Sequence, residues 1–296
     1  MTDQYLNAIN DRIESFPALP AIVSKVMAVT ANPESNINEL VKVILPDQSM
    51  CATILKVANS AFFGIPREVN SIERAIVVLG QEEIKNIIIG KAIFASFPKM
   101  TREANHSIGL FWEHTFTCGL AAKIIGEHFQ LSPSELFVAG LIHDIGKLAM
   151  FLTFPDRYPL LEKLANHPLL DTLSLERKNY SISHEQVGLQ LAEKWLLPEQ
   201  LVTAIGFHHA PQDASNFGKY PHIIHVADIL SLLYCSPEHL RAEDISKMFA
   251  DFLPETGKFW RKAGLDWQDD YLGLWFEGLK RSRHSDQAIL SIFTSS

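Results

Sequence analysis

The residues best suited to chemistry are a histidine and an aspartate set in a strongly apolar stretch. The run His143-Asp144-Ile145-Gly146-Lys147 interrupts the segment from Leu136 to Leu152. An imidazole and a carboxylate in a core helix need partners, because an unpaired buried polar group is costly. The run by itself is equally compatible with a hydrogen-bonded His–Asp pair and with a metal site. Further ligands elsewhere in the chain must decide between the two.

Four more segments place a histidine or an aspartate at the border of an apolar stripe. His114 interrupts one apolar helix, and His184 begins another. The pair His208-His209 ends a third, although a chain with 12 histidines in 296 residues has roughly an even chance of an adjacent pair. Asp228 lies in an apolar helical run, where a single acid needs a partner or a cation.

Helices packed in a bundle can bring such groups to one interior point, where a shared cation satisfies them all. One ion needs about four protein ligands. We therefore expect the candidate ligands to hold two divalent ions, with Asp144 bridging them. Two divalent ions against two carboxylates leave a net positive centre, which suits a phosphate-bearing ligand. Mixed imidazole and carboxylate ligation is compatible with Fe, Mn, Zn or Ni. The first ion would be held by His114, His143, Asp144 and Asp228, and the second by His184, His208 and His209.

Helical periodicity runs through nearly the whole sequence, without the sustained alternation that indicates β-hairpins, and it predicts an all-α helical bundle. Ser183 with Gln186 three residues later forms a capping-box pattern, which places His184 in a first helical turn. The helices are predicted near Ala18–Thr30, Ile37–Leu45, Met50–Ala58, Ser71–Leu79, Glu82–Phe97, Leu110–Phe129, Pro133–Phe151, Pro155–Ala165, Leu169–Asn179, His184–Trp195, Pro198–Phe207 and Pro221–Leu233.

A polar stretch with little helical periodicity, Pro98 to Ser107, marks a weakly defined boundary in the chain. It predicts an N-terminal helical part over residues 1–100, a metal-site part over 101–235 and a C-terminal helical extension over 236–296. The aromatic residues of this extension are expected to dock on the body rather than to form a recognition surface. They are Trp260, Trp267, Trp275, Phe276 and Phe293.

Composition limits the class of protein. With 47% hydrophobic residues the chain can bury a sizeable core, and a formal charge of −8 disfavours binding to nucleic acid or to an anionic membrane. The N-terminus shows no secretory signal, and the longest apolar runs are interrupted by charged residues. Three scattered cysteines, Cys51, Cys118 and Cys235, suit buried thiols in a reducing cytosol. We expect a cytoplasmic protein.

The ordered series of histidines and aspartates resembles the HD phosphohydrolase superfamily, and in particular its HD-GYP branch. The first half of the chain resembles the bacterial HDOD pattern more narrowly, through Leu19-Pro20, Ile54 to Gly64 and Ser71 to Gly80. The run Asn-Ser-Ala-Phe-Phe-Gly ending at Gly64 is the most specific of these pieces. The resemblance covers about Phe16 to Leu233.

This resemblance implies an HD-superfamily-like helical core and a role in bacterial signal transduction, with a signalling protein partner or a small phosphorylated ligand. It does not imply catalysis, because many HDOD proteins have lost HD ligands that this sequence keeps. His208-His209 is followed by Ala210-Pro211, so the Gly-Tyr-Pro element that marks HD-GYP enzymes is missing, and this argues against cyclic di-GMP hydrolysis. Leu110 stands where some HD-GYP relatives carry a Glu for a third metal, so two metals are expected. By resemblance, iron is the first choice.

Three functions remain open from the sequence. The first is a regulatory module whose metal pocket senses a phosphorylated ligand; the second is a metal-dependent phosphohydrolase; the third is a structural metalloprotein. In the enzyme, a metal-activated water would attack phosphorus, with Asp144 and Lys147 as the catalytic residues. Lys147 lies on the same helical face as Asp144 and would contact either a substrate phosphate or Asp144 itself. His225 would either orient Asp228 or make a hydrogen bond in the core.

Overall fold

A computed structural model describes residues 2–60, 63–97, 104–158, 172–235 and 241–294. Within these ranges the chain forms α-helices and one short 3₁₀ segment, and no β-strand occurs there. The all-α prediction is therefore confirmed. The helices belong to two compact units, which are described separately below. The predicted division into residues 1–100, 101–235 and 236–296 stays a prediction.

One unit comprises residues 17–99 and 281–296. Two of its helices begin at Asn36 and Asp47: the side chain of Asn36 accepts from the amides of Asn38 and Glu39, and that of Asp47 accepts from the amide of Met50. Such caps satisfy amides that have no partner in the first turn of a helix. The helices are α2 (Ala21–Ala31), α3 (Ile37–Ile44), α4 (Gln48–Ala58), α5 (Ile72–Leu79) and α6 (Gln81–Ser96), and the core includes Leu40, Ile44, Ile54, Ile76, Ile84 and Ile88.

The other unit comprises residues 1–16 and 100–280 and holds all the predicted site residues. Its central packing joins α7 to α8 and α13, and α9 to α11. The helices are α1 (Thr2–Ser15), α7 (Ala104–His128), α8 (Pro133–Ile142), α9 (Ile145–Thr153), α10 (Thr172–Tyr180), α11 (His184–Lys194), α12 (Glu199–Phe207), α13 (Lys219–Cys235), α14 (Ala242–Phe252) and α15 (Thr256–Lys262). The last helix, α16 (Asp270–Thr294), runs through the end of this unit.

The single helix predicted from Pro133 to Phe151 is in fact two helices. Asp144 has φ −100° and ψ 14°, which is outside the α-helical range, and helix α9 starts again after it. The Nδ1 of His143 lies 2.7 Å from the carbonyl oxygen of Gly140 in the preceding turn. The apolar pattern continues across the break because both helices are buried, so periodicity alone did not reveal it.

Other predicted elements also change. Pro155 to Tyr158 form a turn and not the start of a helix, and the rest of the helix predicted to Ala165 lies outside the described residues. Thr2 to Ser15 form a helix that the sequence reading missed. This segment is mostly polar, and its apolar residues are few, but Ile9 and Ile13 are buried. A sparse apolar stripe of this kind gives a weak periodic signal.

The stretch Pro133–Thr153 is long and apolar enough to cross a bilayer, but 89% of its most apolar window is buried inside the fold. The aromatic residues of the tail dock as predicted, with Trp260, Trp275 and Phe276 buried. Trp267 is half-buried, and the side chain of Phe293 lies outside the described residues. The prediction for the cysteines is only partly right, because Cys118 is buried, whereas Cys51 is half-buried and Cys235 is exposed.

Candidate metal centre

Five structural elements bring the predicted ligands to one place inside the larger unit. His114 comes from the middle of α7, His143 and Asp144 from the break between α8 and α9, and Asp228 from α13. His184 is the first residue of α11, where the predicted capping box of Ser183 and Gln186 is present, and His208 and His209 follow the end of α12.

The ligand atoms form two clusters. The first cluster consists of His114, His143 and Asp228. Its imidazole Nε2 atoms lie 3.2 Å (His114) and 3.5 Å (His143) from Oδ1 of Asp228. The same two Nε2 atoms lie 3.6 and 3.4 Å from Oδ2 of Asp144. One carboxylate oxygen of Asp144 therefore faces the first cluster.

The second cluster consists of Asp144, His184, His208 and His209. Here the other oxygen of Asp144, Oδ1, lies 3.3 Å from Nε2 of His184 and 3.5 Å from Nε2 of His208. Nε2 of His209 is 3.1 Å from Nε2 of His184. Asp144 thus stands between the two clusters with one oxygen directed to each.

These spacings suit ligands that surround a small cation. Two ligands bound at about 2.1 Å in tetrahedral geometry lie about 3.4 Å apart. Several of the atoms concerned are buried without a hydrogen-bond partner among the described residues: Nε2 of His114, His143 and His208, and one oxygen each of Asp144 and Asp228. Unpaired buried acceptors are rare and costly, so the donor set fits divalent metal ions.

The opposite nitrogen of the ring is hydrogen-bonded in four of the histidines. Nδ1 of His143 pairs with the carbonyl of Gly140, and Nδ1 of His208 with that of Ile205 at 2.8 Å. Nδ1 of His114 lies 3.0 Å from Oγ of Ser231, whose hydroxyl donates to a backbone carbonyl. When Nδ1 carries the proton, Nε2 keeps its lone pair for a cation.

Glu176 is a member of the site that the sequence reading missed. Its carboxylate accepts from the backbone amide of His184 at 2.8 Å and pairs with Nδ1 of the same residue at 2.8 Å. The hydroxyl of Tyr158 donates to it at 2.5 Å. Glu176 is 3% exposed although α10 is a polar helix, so its burial could not be read from an apolar pattern. It orients His184 toward the second cluster.

Electrostatics keep the carboxylates ionised. Burial raises the pKa of Asp144, but the charges of His143 and Lys147 outweigh it and hold the pKa well below its usual value. Burial lowers the pKa of His208, and it lowers the pKa of His209 further with the help of neighbouring imidazoles. Although burial lowers the pKa of His143, the charge of Asp144 raises it well above its usual value. A metal ion would have to displace a proton from His143, because neutral imidazoles and ionised carboxylates are the forms that bind metal.

Lys147 lies against Asp144, with Nζ 2.6 Å from Oδ2. Of the two predicted contacts, the structure shows the ion pair. The ammonium is 5% exposed, and although burial lowers its pKa, the charges of Asp144 and Asp228 raise it overall. Lys147 is therefore a fixed positive charge at the edge of the two clusters.

Two glycine contacts let the helices approach closely enough for these groups to meet. A β-carbon on Gly146 would lie 1.9 Å from the carbonyl oxygen of His184, so α9 and α11 touch backbone to backbone. A β-carbon on Gly140 would lie 2.7 Å from Cα of Gly119, so α7 and α8 do the same. These contacts set the distance between the helices that carry His114, Asp144 and His184.

Other candidates have different environments. Nδ1 of His225 donates to the carbonyl oxygen of His208 at 2.8 Å, which is a core hydrogen bond rather than a contact with the carboxylate of Asp228. Five histidines fall in polar surroundings in the sequence, which predicts that they lie at the surface: His106, His128, His167, His239 and His284. Of these, His128 is exposed, and the side chains of the other four lie outside the described residues. Leu110 is 44% exposed.

Known proteins resemble this chain in sequence and in fold. An uncharacterised protein of Treponema pallidum (strain Nichols) is 23% identical over 212 residues, which are 70% of this chain and 40% of the relative. The chain thus corresponds to less than half of that relative's length.

Two solved structures share the fold. One is a provisionally named phosphohydrolase from Shewanella amazonensis SB2B, with a TM-score of 0.72 and 21% identity over 97% of this chain and 98% of the other. The second is an HDOD domain protein of unknown function from Geobacter sulfurreducens, with a TM-score of 0.70 and 22% identity over the full length of both chains. The model of the HDOD domain matches residues 16–211, about two thirds of the sequence. The chain belongs to the HDOD domain family.

Proposed function

We propose that this protein is a signal-transduction module whose two His/Asp clusters hold two divalent metal ions and bind a phosphorylated ligand. One observation carries the proposal: the carboxylate of Asp144 faces both clusters at once, one oxygen to each, within 3.3–3.6 Å of four imidazole nitrogens. This is the arrangement of a bridging ligand in a two-metal site.

When bound, two divalent ions would supply Lewis-acid charge that neutralises phosphate oxygens and activates water. The first cluster and Oδ2 of Asp144 would hold one ion, and the second cluster the other. The outer hydrogen bonds at Nδ1 orient four of the imidazoles, and Glu176 adds negative charge behind His184. Iron is our first choice of metal, with Mn, Zn and Ni as alternatives.

Lys147 has a specific part in this proposal. Its ammonium shares Oδ2 of Asp144 with the imidazoles of the first cluster. A cation held there would repel the ammonium and compete for the same oxygen, which would free Lys147 to contact a ligand phosphate. The ammonium would then add to the positive charge of the centre, which favours an anionic ligand.

Hydrolysis of a phosphoester is the second candidate function. The observation in its favour is the complete set of ligands around Asp144, together with a lysine placed to neutralise a developing phosphate charge. The two functions are separated by turnover: a sensor binds the phosphoester and releases it unchanged, whereas a hydrolase releases inorganic phosphate.

Elemental analysis tests the metal centre directly. The protein, purified without a metal-affinity tag and loaded in turn with Fe, Mn and Zn, is expected to retain about two ions per chain. The variant Asp144→Asn keeps the shape of the side chain but removes its charge, and it should retain at most one. The matched control is Asp213→Asn, because Asp213 is an exposed acid in the 3₁₀ segment.

Retention of two ions by Asp144→Asn, or the same metal content in apo and loaded protein, would overturn the proposal. Loss of metal by Asp213→Asn as well would show that the variants act through folding. Far-UV circular dichroism of all three proteins separates these cases.

We further propose a cytoplasmic protein that works with a signalling protein partner and binds neither nucleic acid nor membrane. The support for this proposal is the net charge of −8 and the burial of the apolar stretch Pro133–Thr153, the one such stretch of spanning length in the part of the chain that the structure describes. Co-purification with chromosomal DNA at physiological salt would contradict it.

A further inference from the structure

A cavity of about 320 Å³ lies beside the second cluster, and His209 lines it while also belonging to that cluster. A volume of this size is at the lower end of the range for pockets that bind small molecules. Because one side chain is shared, a ligand in the cavity would lie against a residue of the second cluster.

The walls of this cavity come largely from sequence beyond the family match, which ends at residue 211. His222 and His225 of α13 form one side, and the segment Leu253–Trp260 forms the other. The C-terminal extension therefore does more than cover the body of the larger unit. It completes a surface next to the metal centre.

The cavity has no cationic side chain, because neither lysine nor arginine lines it. Its single acid, Glu255, makes an ion pair with Lys258. The cavity therefore offers a phosphate no lysine or arginine, and its lining suits an uncharged part of a ligand.

Flat rings line much of the cavity, including Phe259, Trp260 and the imidazole of His225. These rings give the cavity a flat, uncharged surface on which a planar ring can stack.

We propose that the cavity binds the heterocyclic base of a nucleotide whose phosphate lies at the metal centre. The proposal rests on the proposed function, because the two metal ions provide the phosphate site. It narrows the ligand class from any phosphoester to a nucleotide, and it assigns specificity to residues of α13 and of the C-terminal extension.

Calorimetric titration of the metal-loaded protein tests the proposal with three probes: adenosine 5′-monophosphate, adenosine and inorganic phosphate. The monophosphate should bind at least about tenfold more tightly than inorganic phosphate, because stacking of a base adds about this factor. Phe259→Ala should remove most of that advantage and leave the affinity for inorganic phosphate unchanged. Phe217→Ala, which removes a half-exposed ring outside the cavity, is the matched control.

A second variant guards against a folding defect in the first. Pro254→Trp places a bulky side chain at an exposed position on the cavity wall and should block the base while inorganic phosphate still binds. Equal affinities of the monophosphate and inorganic phosphate in the wild-type protein would overturn the proposal. So would binding of the monophosphate that neither variant weakens.

The two proposals fail in different ways. If inorganic phosphate does not bind but adenosine does, and Phe259→Ala abolishes adenosine binding, the base site stands and the phosphate-binding metal centre fails. If inorganic phosphate binds and adenosine adds nothing to it, the metal centre stands and the base site fails.

Discussion

A β-carbon on Gly146 would lie 1.9 Å from the carbonyl oxygen of His184 and 2.7 Å from the amide nitrogen of Gly188. The atoms that it would meet belong to the backbone and cannot rotate away. Helices α9 and α11 therefore meet at a contact that only glycine permits, and this contact places Asp144 beside His184. The geometry of the second cluster depends on a residue that carries no functional group.

We expect Gly146→Ala to destabilise the protein by about 1–3 kcal/mol or more, because overpacking of a rigid contact has this cost. It should also reduce metal retention, since α11 must move away from Asp144. Urea denaturation of the apo and loaded variant measures both effects. Gly109→Ala is the control, because a β-carbon at this exposed helical position meets nothing within 4 Å. It should be neutral or stabilising by up to about 1 kcal/mol.

Glu176→Gln is expected to lower the affinity of the second cluster for metal by about 10–100-fold, because it removes the negative charge that orients and polarises His184. Competition with a chelator measures this affinity. Glu193→Gln, on the exposed face of α11, should leave it unchanged. An unchanged affinity in Glu176→Gln would show that the carboxylate only stabilises the helix start. Tyr158→Phe should give a smaller loss of the same kind.

The apo protein should lose stability on acidification below about pH 6.5. Burial lowers the folded-state pKa of His208, His209, His222 and His225 below the value of an unfolded histidine. Between the folded and unfolded pKa values the unfolded chain binds more protons, so the free energy of unfolding rises with pH through this window. His143 acts in the opposite sense, because the charge of Asp144 raises its pKa despite burial. Because four histidines have a lowered pKa and only His143 among these five has a raised one, we expect the free energy of unfolding to fall as the pH falls.

Chemical denaturation of metal-free protein between pH 5 and pH 7.5 measures this dependence. His225→Gln keeps a polar side chain at the cavity wall and removes one of the four histidines with a lowered pKa. The free energy of unfolding of this variant should therefore depend less steeply on pH than that of the wild-type protein. A free energy of unfolding that is constant or rises toward pH 5 would contradict the prediction.

Lys147→Met should keep two metal ions but bind inorganic phosphate about 10–100-fold more weakly, the value of one hydrogen bond to a charged group. Metal retention should even increase, because the ammonium no longer competes for Oδ2 of Asp144. Calorimetry on the loaded variant measures the phosphate affinity. Lys123→Met is the control, since Lys123 pairs with Glu127 on α7 away from both clusters. Unchanged phosphate affinity in Lys147→Met would show that Lys147 pairs with Asp144 and does not contact the phosphate.

The helical class, the HDOD resemblance and the residue types of the candidate site could all be predicted from the sequence. Helical class is a local property, since periodicity and caps such as Ser183 with Gln186 are visible within a few residues. The ligand candidates were visible because a polar group such as His143 or Asp228 has no reason to interrupt an apolar stripe unless something satisfies it. That they hold metal stays a prediction.

The tertiary structure alone decided how these groups are arranged. Which oxygen of Asp144 faces which cluster depends on the backbone break that ends α8, and that break leaves no trace in the apolar pattern. Glu176 was invisible because its burial results from the packing of a polar helix against His184. The cavity beside His209 needs residues 40 or more positions apart in sequence to meet. Such long-range contacts follow from the packing of whole helices, which a pattern of single residues does not specify.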